Sequence, residues 1–278
     1  MPQSFYTLKI IFIFIHIALL SSCGITIVKK NSQDAAPTGN VNVNNIPNAV
    51  PKYEPKSKYG NPKSYVVFGK RYYVMESSKG FVEKGIASWY GTKFHGRRTS
   101  SGENYDMYAM TAAHKNLPLP TFAKVTNLKN GKYVIVKIND RGPFHENRII
   151  DLSYTAAIKL DIVKNGTGLV EIVALEPGQP VDASSSPVAP VVSGSQENTN
   201  LSFFIQVGSF GQLANAENLK TRVSQIGEQL VGITQSIVSG STFYRVRIGP
   251  LTNIDHADEV VSALTSLGIN DHHIVFNE

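Results

Sequence analysis

The residues best suited to chemistry lie between positions 85 and 153. This stretch opens with GIASWYGTKFHGRRTSSGENYD, closes with NDRGPFHENRIIDLS, and combines carboxylates with aromatic side chains. Two carboxyl groups can give and take a proton at a glycosidic bond, and aromatic rings can stack on sugar faces. The pattern favours a groove for a sugar polymer, although any small β-barrel also needs core aromatics and corner glycines. The candidate residues are Trp89, Tyr90, Phe94, Glu103, Tyr105, Asp140 and Asp151.

Short apolar runs separated by turns must position these side chains. From Tyr133 to Ile138 the run alternates, with Val134, Val136 and Ile138 on one face, which is typical of a half-buried strand. Asn130-Gly131 directly precedes it and predicts a hairpin turn. Many such runs with one small helix predict a compact β-barrel over residues 81–176.

Two local signals flank the strands of this barrel. Ser153 has the features of an N-cap and predicts a short helix from Tyr154 to Leu160. YVVFGKRYYVM, at residues 65–75, reads as a hairpin around Gly69-Lys70 and predicts a small segment, residues 65–80, that packs onto the barrel.

A second module follows a Pro- and Ser-rich linker at residues 177–200. FFIQVGSF (203–210) is echoed by FYRVRIGPL (243–251), and each is followed by apolar residues at helical spacing. Together with two further strands, this pattern predicts the order βαββαβ, a ferredoxin-like sandwich, over residues 201–278. The fold class is therefore mainly β plus α+β.

The distribution of charge argues against a nucleic-acid partner. The chain has a formal net charge of +6, with 27 basic and 21 acidic side chains in 278 residues. Residues 24–80 hold nine Lys and Arg against three Asp and Glu, whereas residues 81–278 hold 17 against 18. A nearly neutral folded part lacks the basic patch that nucleic-acid binding requires.

The first 22 residues have the pattern of a signal peptide. Lys9 precedes the apolar run Ile10–Leu20, which is short for a membrane span. Leu20-Ser21-Ser22-Cys23 resembles a bacterial lipobox, which implies cleavage before Cys23 and its acylation. The alternative is an ordinary cleavage site beside an incidental cysteine. Residues 23–64 are rich in Asn, Pro and Lys without periodicity, which predicts a disordered tether.

Four motifs carry a resemblance to a known family. GIASWYGTKFHGRRTSSGE, TAAHKNLPLPT, NDRGPF and RIIDLS together resemble the double-psi β-barrel of the rare lipoprotein A family, and the C-terminal module resembles the SPOR domain. The resemblance implies a lytic transglycosylase that cleaves MurNAc–GlcNAc bonds in denuded peptidoglycan, which is free of stem peptides, and leaves 1,6-anhydro ends. It also implies that the SPOR domain, at residues 201–278, binds denuded septal glycan.

The same resemblance implies three functional residues: Glu103, His114 and Asp140. A transglycosylase needs one group that protonates the leaving oxygen and then takes the proton of the muramic C6 hydroxyl. We expect Asp140 to fill this role, with exchange of roles with Glu103 left open. His114 is expected to orient a carboxylate by a hydrogen bond, or to be a structural histidine. Asp161 stands where a glycine is usual after the helix.

Further residues are candidates for binding glycan. Tyr90 is expected to line the groove and Trp89 to be partly buried. Two roles are possible for Arg141: it binds substrate, or it forms an Arg–Asp pair that ties the barrel loops together. The structural role in such a pair is also the interpretation for Arg148 and Asp151. Glu83 is interpreted as solvated surface charge. The full set of binding candidates is Tyr90, Trp89, Phe94, Arg141, Gln206, Ser209, Tyr244 and Arg247.

No cofactor is implied, because no His, Cys or Asp cluster in the sequence has metal-ligand spacing and no glycine-rich phosphate loop follows a strand. The expected partners are glycan strands, the membrane through a lipid anchor at Cys23, and divisome proteins, with the chain as a monomer. Gly24 after the cysteine points to the outer membrane, facing the periplasm and enriched at the septum. An alternative function is a non-catalytic, expansin-like wall-binding lipoprotein.

Overall fold

The computed structural model describes residues 34–39, 42–43, 45–178, 201–226 and 231–276. The predicted signal peptide (1–22), the lipidation site Cys23 and linker positions 179–200 lie outside the described residues. Within the described ranges, no helix is both long and apolar enough to cross a membrane.

The described chain has its first strands in a small hairpin. Strand β1 (Ser64–Val67) pairs antiparallel with β2 (Lys70–Tyr73). The turn falls on Phe68 and Gly69, both with positive φ, one residue before the predicted position. Tyr65 and Tyr72 stack on each other, and both rings contact Phe144 of the barrel. The hairpin therefore packs onto the barrel as the sequence predicts.

Six strands then close into a barrel. They are β3 (Val82–Tyr90), β4 (Thr111–His114), β5 (Thr121–Asn127), β6 (Tyr133–Asp140), β7 (Arg148–Ser153) and β8 (Gly168–Leu175). Their order around the barrel is β3-β7-β4-β6-β5-β8. The pairs β3·β7 and β4·β6 run parallel, whereas the other four pairs are antiparallel. The double-psi β-barrel predicted from the motifs is confirmed.

The barrel interior is filled by the alternate apolar residues that the sequence singles out. Val134, Val136 and Ile138 are buried inside, and the hairpin at Asn130–Gly131 sets their register against β5. Full burial of each such side chain contributes about 1.5–3 kcal/mol. Ile135 lies on the opposite face yet is also buried, because another segment of the chain covers it.

That segment, residues 45–63, is called the strap below. It contains no helix or strand, but it lies along the outside of the barrel. The β6 edge at Ile135 is not paired with β4, which begins its pairing at Lys137. Ala49 donates its backbone N–H to Ile135 O at 3.0 Å, and Asn48 Oδ1 accepts from Ile135 N at 3.2 Å. The strap thus satisfies a strand edge that would otherwise be open.

One short helix, α1 (Tyr154–Lys159), follows β7. Ser153 caps it as predicted, with its Oγ accepting from Ala156 N at 3.3 Å. Asp161, two residues after the helix, has a φ of +63°, the left-handed conformation that glycine adopts most readily. Position 161, where the resembled family usually has glycine, therefore lies in a turn that needs a positive φ.

The C-terminal domain has the predicted βαββαβ order. Its elements are β9 (Phe203–Phe210), α2 (Leu213–Val223), β10 (Val231–Val238), β11 (Ser241–Leu251), α3 (Ile254–Ser266) and β12 (His273–Phe276). The sheet order is β10-β11-β9-β12. Ile205 and Val246 of the sheet are buried with Val260 and Leu264 of α3, so the helices cover one sheet face.

The two domains contact each other through β7 and α3. Asp258 of α3 accepts hydrogen bonds from Asn147 Nδ2 and Arg148 Nη1, each at 3.0 Å. Ile86 and Leu169 of the barrel join the apolar cluster of the C-terminal domain. Arg148, interpreted from sequence as a tie between barrel loops, instead ties the barrel to the second domain.

Candidate active site

Asp140 stands at the end of β6 and is held by a loop from another part of the chain. Its Oδ1 accepts hydrogen bonds from Ser100 N at 2.7 Å, Ser100 Oγ at 2.6 Å and Arg141 N at 2.7 Å. Three donors directed at one carboxylate oxygen stabilise its negative charge. These hydrogen bonds fix the orientation of the Asp140 carboxyl group.

Glu103 lies on the same loop and reaches the same strand. Lys137 Nζ donates to Glu103 Oε1 at 2.7 Å, and Asn139 Nδ2 donates to Glu103 Oε2 at 2.7 Å. The loop is closed by Thr99 N donating to Glu103 O at 2.8 Å. Because Lys137 and Asn139 are two residues apart on a strand, their side chains share one face and grip Glu103 together. The same loop thus holds both Asp140 and Glu103 at the end of β6, and the surface that they share with this loop is called the groove below.

A third carboxylate, Asp151, completes this groove. Strand register pairs Ser88 with Asp151, Asp151 with Ala113, and Ala113 with Asp140. Directly paired residues project to the same side of a sheet, so these four side chains form one row across four strands. Ala87, Ala112 and Ile150 precede Ser88, Ala113 and Asp151 and face the barrel interior, so those three residues face outward. Asp140 joins them because a register irregularity between Ile138 and Asp140 interrupts the alternation that places Ile138 inside.

Asp151 differs from Asp140 in its surroundings. Ser88 Oγ donates a short hydrogen bond to Asp151 Oδ1. Burial raises the pKa of Asp151 from 3.8 to about 6, and the Ser88 hydrogen bond and the charge of Arg148 only partly oppose this shift. A Cβ added at Gly142 would lie 3.8 Å from Asp151 Oδ2, so the glycine keeps that side open.

The sequence interpretation of Asp151 as structural is therefore incomplete. The signal that could have found it is a lone acidic residue inside the apolar strand RIIDLS. A carboxylate in such a position is costly to bury unless it is neutral or paired.

His114 does not join the groove carboxylates among the described contacts. Its side chain is 2% exposed, and its Nε2 lies 3.1 Å from Glu83 Oε2. Asn116 N and Leu117 N both donate to its Nδ1 at 3.1 Å, which leaves Nε2 to carry the proton. His114 does hydrogen-bond a carboxylate, as expected, but the partner is Glu83, which is therefore not simply a solvated surface charge.

Arg141 is occupied by the backbone. Its guanidinium donates to Gly60 O at 2.9 Å, to His114 O at 3.1 Å and to Leu117 O at 2.5 Å. These carbonyls belong to the strap and to the turn after β4. Among the described contacts Arg141 forms no side-chain pair with an aspartate; it joins the strap to the barrel beside Asp140, and its role in substrate binding stays a prediction.

The aromatic candidates divide between core and groove. Tyr90 is only 7% exposed and stacks on Tyr105 with ring centroids 3.9 Å apart, so its ring offers no open face. Trp89 is partly buried, as predicted, and contacts Tyr154. Phe94 is exposed, with Lys93 and Arg97 near its ring. Of these predicted groove residues, Phe94 is the one with an exposed ring.

In the C-terminal domain, the predicted binding residues fall on both faces of the sheet. Arg247 Nε donates to Gln206 Oε1 at 3.2 Å, and Gln206 Nε2 lies 3.4 Å from His273 Nε2. Ser209 pairs in register with Arg245 on this same face, opposite the helices, where Gln206 is 8% exposed. Tyr244 packs against the apolar cluster under the helices, so it lies on the other face. His273 was missed because its strand is short and its register is set by tertiary pairing.

Comparisons with known families define the class of protein. Residues 82–172 match the family model described as lytic transglycolase, and residues 202–275 match the SPOR domain. The chain therefore combines a lytic transglycosylase-type double-psi barrel with a SPOR domain.

Curated relatives then identify the family. The chain is similar to the "Endolytic peptidoglycan transglycosylase RlpA" of Vibrio cholerae, with 42% identity over 87% of each chain. The protein of the same name from Pseudomonas aeruginosa is 38% identical, over 85% of this chain and 82% of the relative. That of Neisseria meningitidis is 46% identical, over 71% and 77%. The chain belongs to the RlpA family of endolytic peptidoglycan transglycosylases.

Proposed function

We propose that this protein is an endolytic lytic transglycosylase that cuts MurNAc–GlcNAc bonds in denuded peptidoglycan and leaves 1,6-anhydroMurNAc ends. The observation that carries the proposal is the row of two aspartates in the groove of a barrel that belongs to this family. One of them, Asp140, is surrounded by donors, whereas burial raises the pKa of the other, Asp151, to about 6. Glycosidic cleavage needs such a difference between two carboxyl groups.

In this proposal the two aspartates divide the proton transfers that the sequence interpretation gave to Asp140 alone. Asp151 donates its proton to the leaving O4 of GlcNAc as the glycosidic bond breaks. The muramic C6 hydroxyl attacks C1, and Asp140 takes the hydroxyl proton. Solvent returns the proton from Asp140 to Asp151, so no water is consumed. Two strand spacings separate the two backbones, roughly 10 Å, which leaves room for a sugar bond between the carboxyls.

Glu103 and His114 have supporting roles in this mechanism. Glu103 is held by Lys137 and Asn139, so we propose that it contacts sugar hydroxyls beside the reacting bond. His114 is a positioning residue: its ring holds the turn whose carbonyls accept from Arg141, the residue after Asp140. Exchange of the acid role with Glu103 is the alternative assignment.

The decisive experiment is mass spectrometry of purified denuded glycan after incubation with the protein. We expect anhydro-ended fragments from the wild type, and a loss of rate on the order of a hundredfold or more for Asp140→Asn and for Asp151→Asn. Glu103→Gln should lose less. Unchanged glycan with tight binding would instead support the expansin-like, non-catalytic alternative. A wild-type rate in a folded Asp140→Asn protein would move its role to Glu103.

We further propose that the SPOR domain binds denuded glycan through the sheet face opposite the helices, which carries Gln206, Ser209 and Arg247. The basis is the SPOR match and the continuous polar row from Arg247 to His273. Arg247→Ala should weaken binding of the full chain to amidase-treated sacculi, in which stem peptides are removed. Equal binding of both proteins, or stronger binding before amidase treatment, would contradict this site.

The proposed location is the outer membrane at the septum, through acylation of Cys23. The support is the lipobox-like Leu20-Ser21-Ser22-Cys23 and the absence of any other cysteine in the sequence. Cells that express Cys23→Ser should not incorporate a fatty-acid label into this protein. Equal label on both proteins would remove the anchor.

A further inference from the structure

The strap contributes a wall of the groove, although it lies outside the stretch that matches the lytic transglycolase model. Hydrogen bonds at three of its residues hold it near Asp140. Ser57 N donates to Leu119 O at 2.9 Å, and Arg141 Nε donates to Gly60 O at 2.9 Å. Asn61 exchanges hydrogen bonds with Leu119, its Oδ1 accepting from Leu119 N and its Nδ2 donating to Leu119 O, each at 2.8 Å.

The strap is also linked to Glu103 through a shared lysine. Lys137 Nζ lies 2.7 Å from Glu54 Oε2 of the strap and 2.7 Å from Glu103 Oε1. One lysine therefore links the strap to a groove carboxylate. The groove is thus built by the barrel and the strap together.

Tyr59 stands between these anchored points. Its side chain is 58% exposed, so it is not part of the core. One edge of the ring lies against Gly102, where an added Cβ would be 3.2 Å from Cδ2. Gly102 has a φ of +94° and directly precedes Glu103. A large exposed ring therefore lies with one edge against the loop that carries Glu103.

This placement is what a sugar-binding platform requires. A tyrosine offers a broad apolar face with few rotatable bonds, so stacking on a pyranose ring costs little side-chain entropy. The buried rings of Tyr90 and Tyr105 stack on each other and cannot serve. Lys58 Nζ lies 5.6 Å from the Tyr59 ring centroid, which places a cation beside the ring.

We propose that Tyr59 is a glycan-binding residue of the barrel groove, which stacks on a sugar ring next to Glu103. The proposal rests on the proposed function for the identity of the ligand. It extends the substrate site to the strap, a segment whose sequence alone predicts only a tether.

The test is steady-state kinetics of the full chain on soluble denuded glycan. We expect Tyr59→Ala to raise KM about tenfold, which is the effect of losing roughly 1.4 kcal/mol of stacking, with kcat changed less than twofold. Tyr59→Phe keeps the ring and should keep the wild-type KM. Tyr53→Ala is the matched control, because Tyr53 is an 84% exposed tyrosine of the same strap. Thermal unfolding should be the same in all four proteins.

Several results would overturn the stacking role. A wild-type KM for Tyr59→Ala would remove the residue from the site, and a raised KM for Tyr59→Phe would assign the effect to the hydroxyl. An equal rise in Tyr53→Ala would point to a general effect of the strap.

Failure of the proposed function is distinguishable from failure of this inference. If the wild type releases no anhydro fragments, calorimetric titration with the same glycan replaces kinetics. The SPOR domain then contributes equally to both proteins, so only a groove contact can separate Tyr59→Ala from wild type. Equal affinities in that titration would overturn the inference as well.

Discussion

At the level of single residues, two aspartates in one row of the groove have opposite environments. Asp140 accepts three hydrogen bonds on one oxygen, whereas Asp151 has one hydroxyl donor and is largely removed from water. Hydrogen bonds favour the charged form of a carboxyl, and loss of solvent favours the neutral form. Asp151 is therefore the group suited to donate a proton near pH 6.

The hydrogen bond from Ser88 gives a way to change the pKa of Asp151. It stabilises the ionised form of Asp151, so its removal by Ser88→Ala should raise the pKa of Asp151 further. The rate falls as Asp151 ionises, so the descending limb of the pH–kcat/KM profile, near pH 6 in wild type, should shift to higher pH in Ser88→Ala. Ser88→Thr keeps the hydroxyl and should keep the limb in place. An unmoved limb in Ser88→Ala would exclude Asp151 as the acid.

Asp151 should also make the fold less stable as the pH rises. Its folded-state pKa of about 6 exceeds the value of 3.8 expected when unfolded. The folded state binds the proton more tightly, so its contribution to stability is complete below about pH 4 and is lost as pH rises through 6. Two pKa units correspond to at most about 3 kcal/mol.

Asp151→Asn should therefore be more stable than wild type at pH 8, and the two should converge at pH 4. Urea unfolding at both pH values measures the difference. A mutant that is destabilised equally at both values would show that Asp151 acts through packing or hydrogen bonds rather than through its charge.

At the level of elements, the strap decides the shape of the groove. Asn61 is its main side-chain anchor, since the amide also donates to Ser57 O at 3.1 Å and accepts from Arg141 Nη2 at 3.3 Å. Both bonds to Leu119 connect segments 58 residues apart. Local sequence contributes little to such an element, because it has no helix or strand ladder of its own.

Asn61→Ala should release the strap near Tyr59. Partly buried partners at Leu119 and Arg141 would lose hydrogen bonds, so we expect a loss of about 1–3 kcal/mol of stability. KM for denuded glycan should rise toward the value of Tyr59→Ala, as measured by the same kinetics. The double variant should show no further rise in KM, because both changes remove one contact. Additive effects on KM would mean that Asn61 and Tyr59 act separately.

At the level of the whole molecule, the barrel and the SPOR domain share an ion pair. The side chain of Arg148 is only 8% exposed, and Asp258 is the acid that faces it. Burial acts to raise the pKa of Asp258, but hydrogen bonds from Arg148 and Asn147 hold this pKa below its ordinary value. Removing one partner of such a pair leaves an uncompensated charge, which favours separation of the domains and hydration of Arg148.

Asp258→Ala should therefore loosen the two domains without unfolding either. Small-angle X-ray scattering should show a larger radius of gyration than in wild type. Glu259→Gln, a change at the exposed acid next along α3, should leave the radius unchanged. Cutting of short glycan should persist in Asp258→Ala, because the groove row does not include Asp258. Identical scattering of all three proteins would show that the ion pair does not hold the domains together.

The elements of both domains and the family motifs can be recognised from the amino-acid sequence. Asn130–Gly131, the Ser153 cap and the alternation in β6 act over a few residues, so they can be recognised without the fold. Glu103 and Asp140 were identified from their motifs, and the structure places them in one groove.

The hydrogen-bond partners of the site residues and the pKa of Asp151 follow from the tertiary structure alone. Ser88 and Asp151 are 63 residues apart, and His114 meets Glu83 across 31 residues. The pKa of Asp151 depends on how much water the closed barrel excludes, and the position of Tyr59 depends on the strap being bound by Arg141. Desolvation and long-range register arise only when the strands close into a barrel, so residue types and spacing could not reveal them.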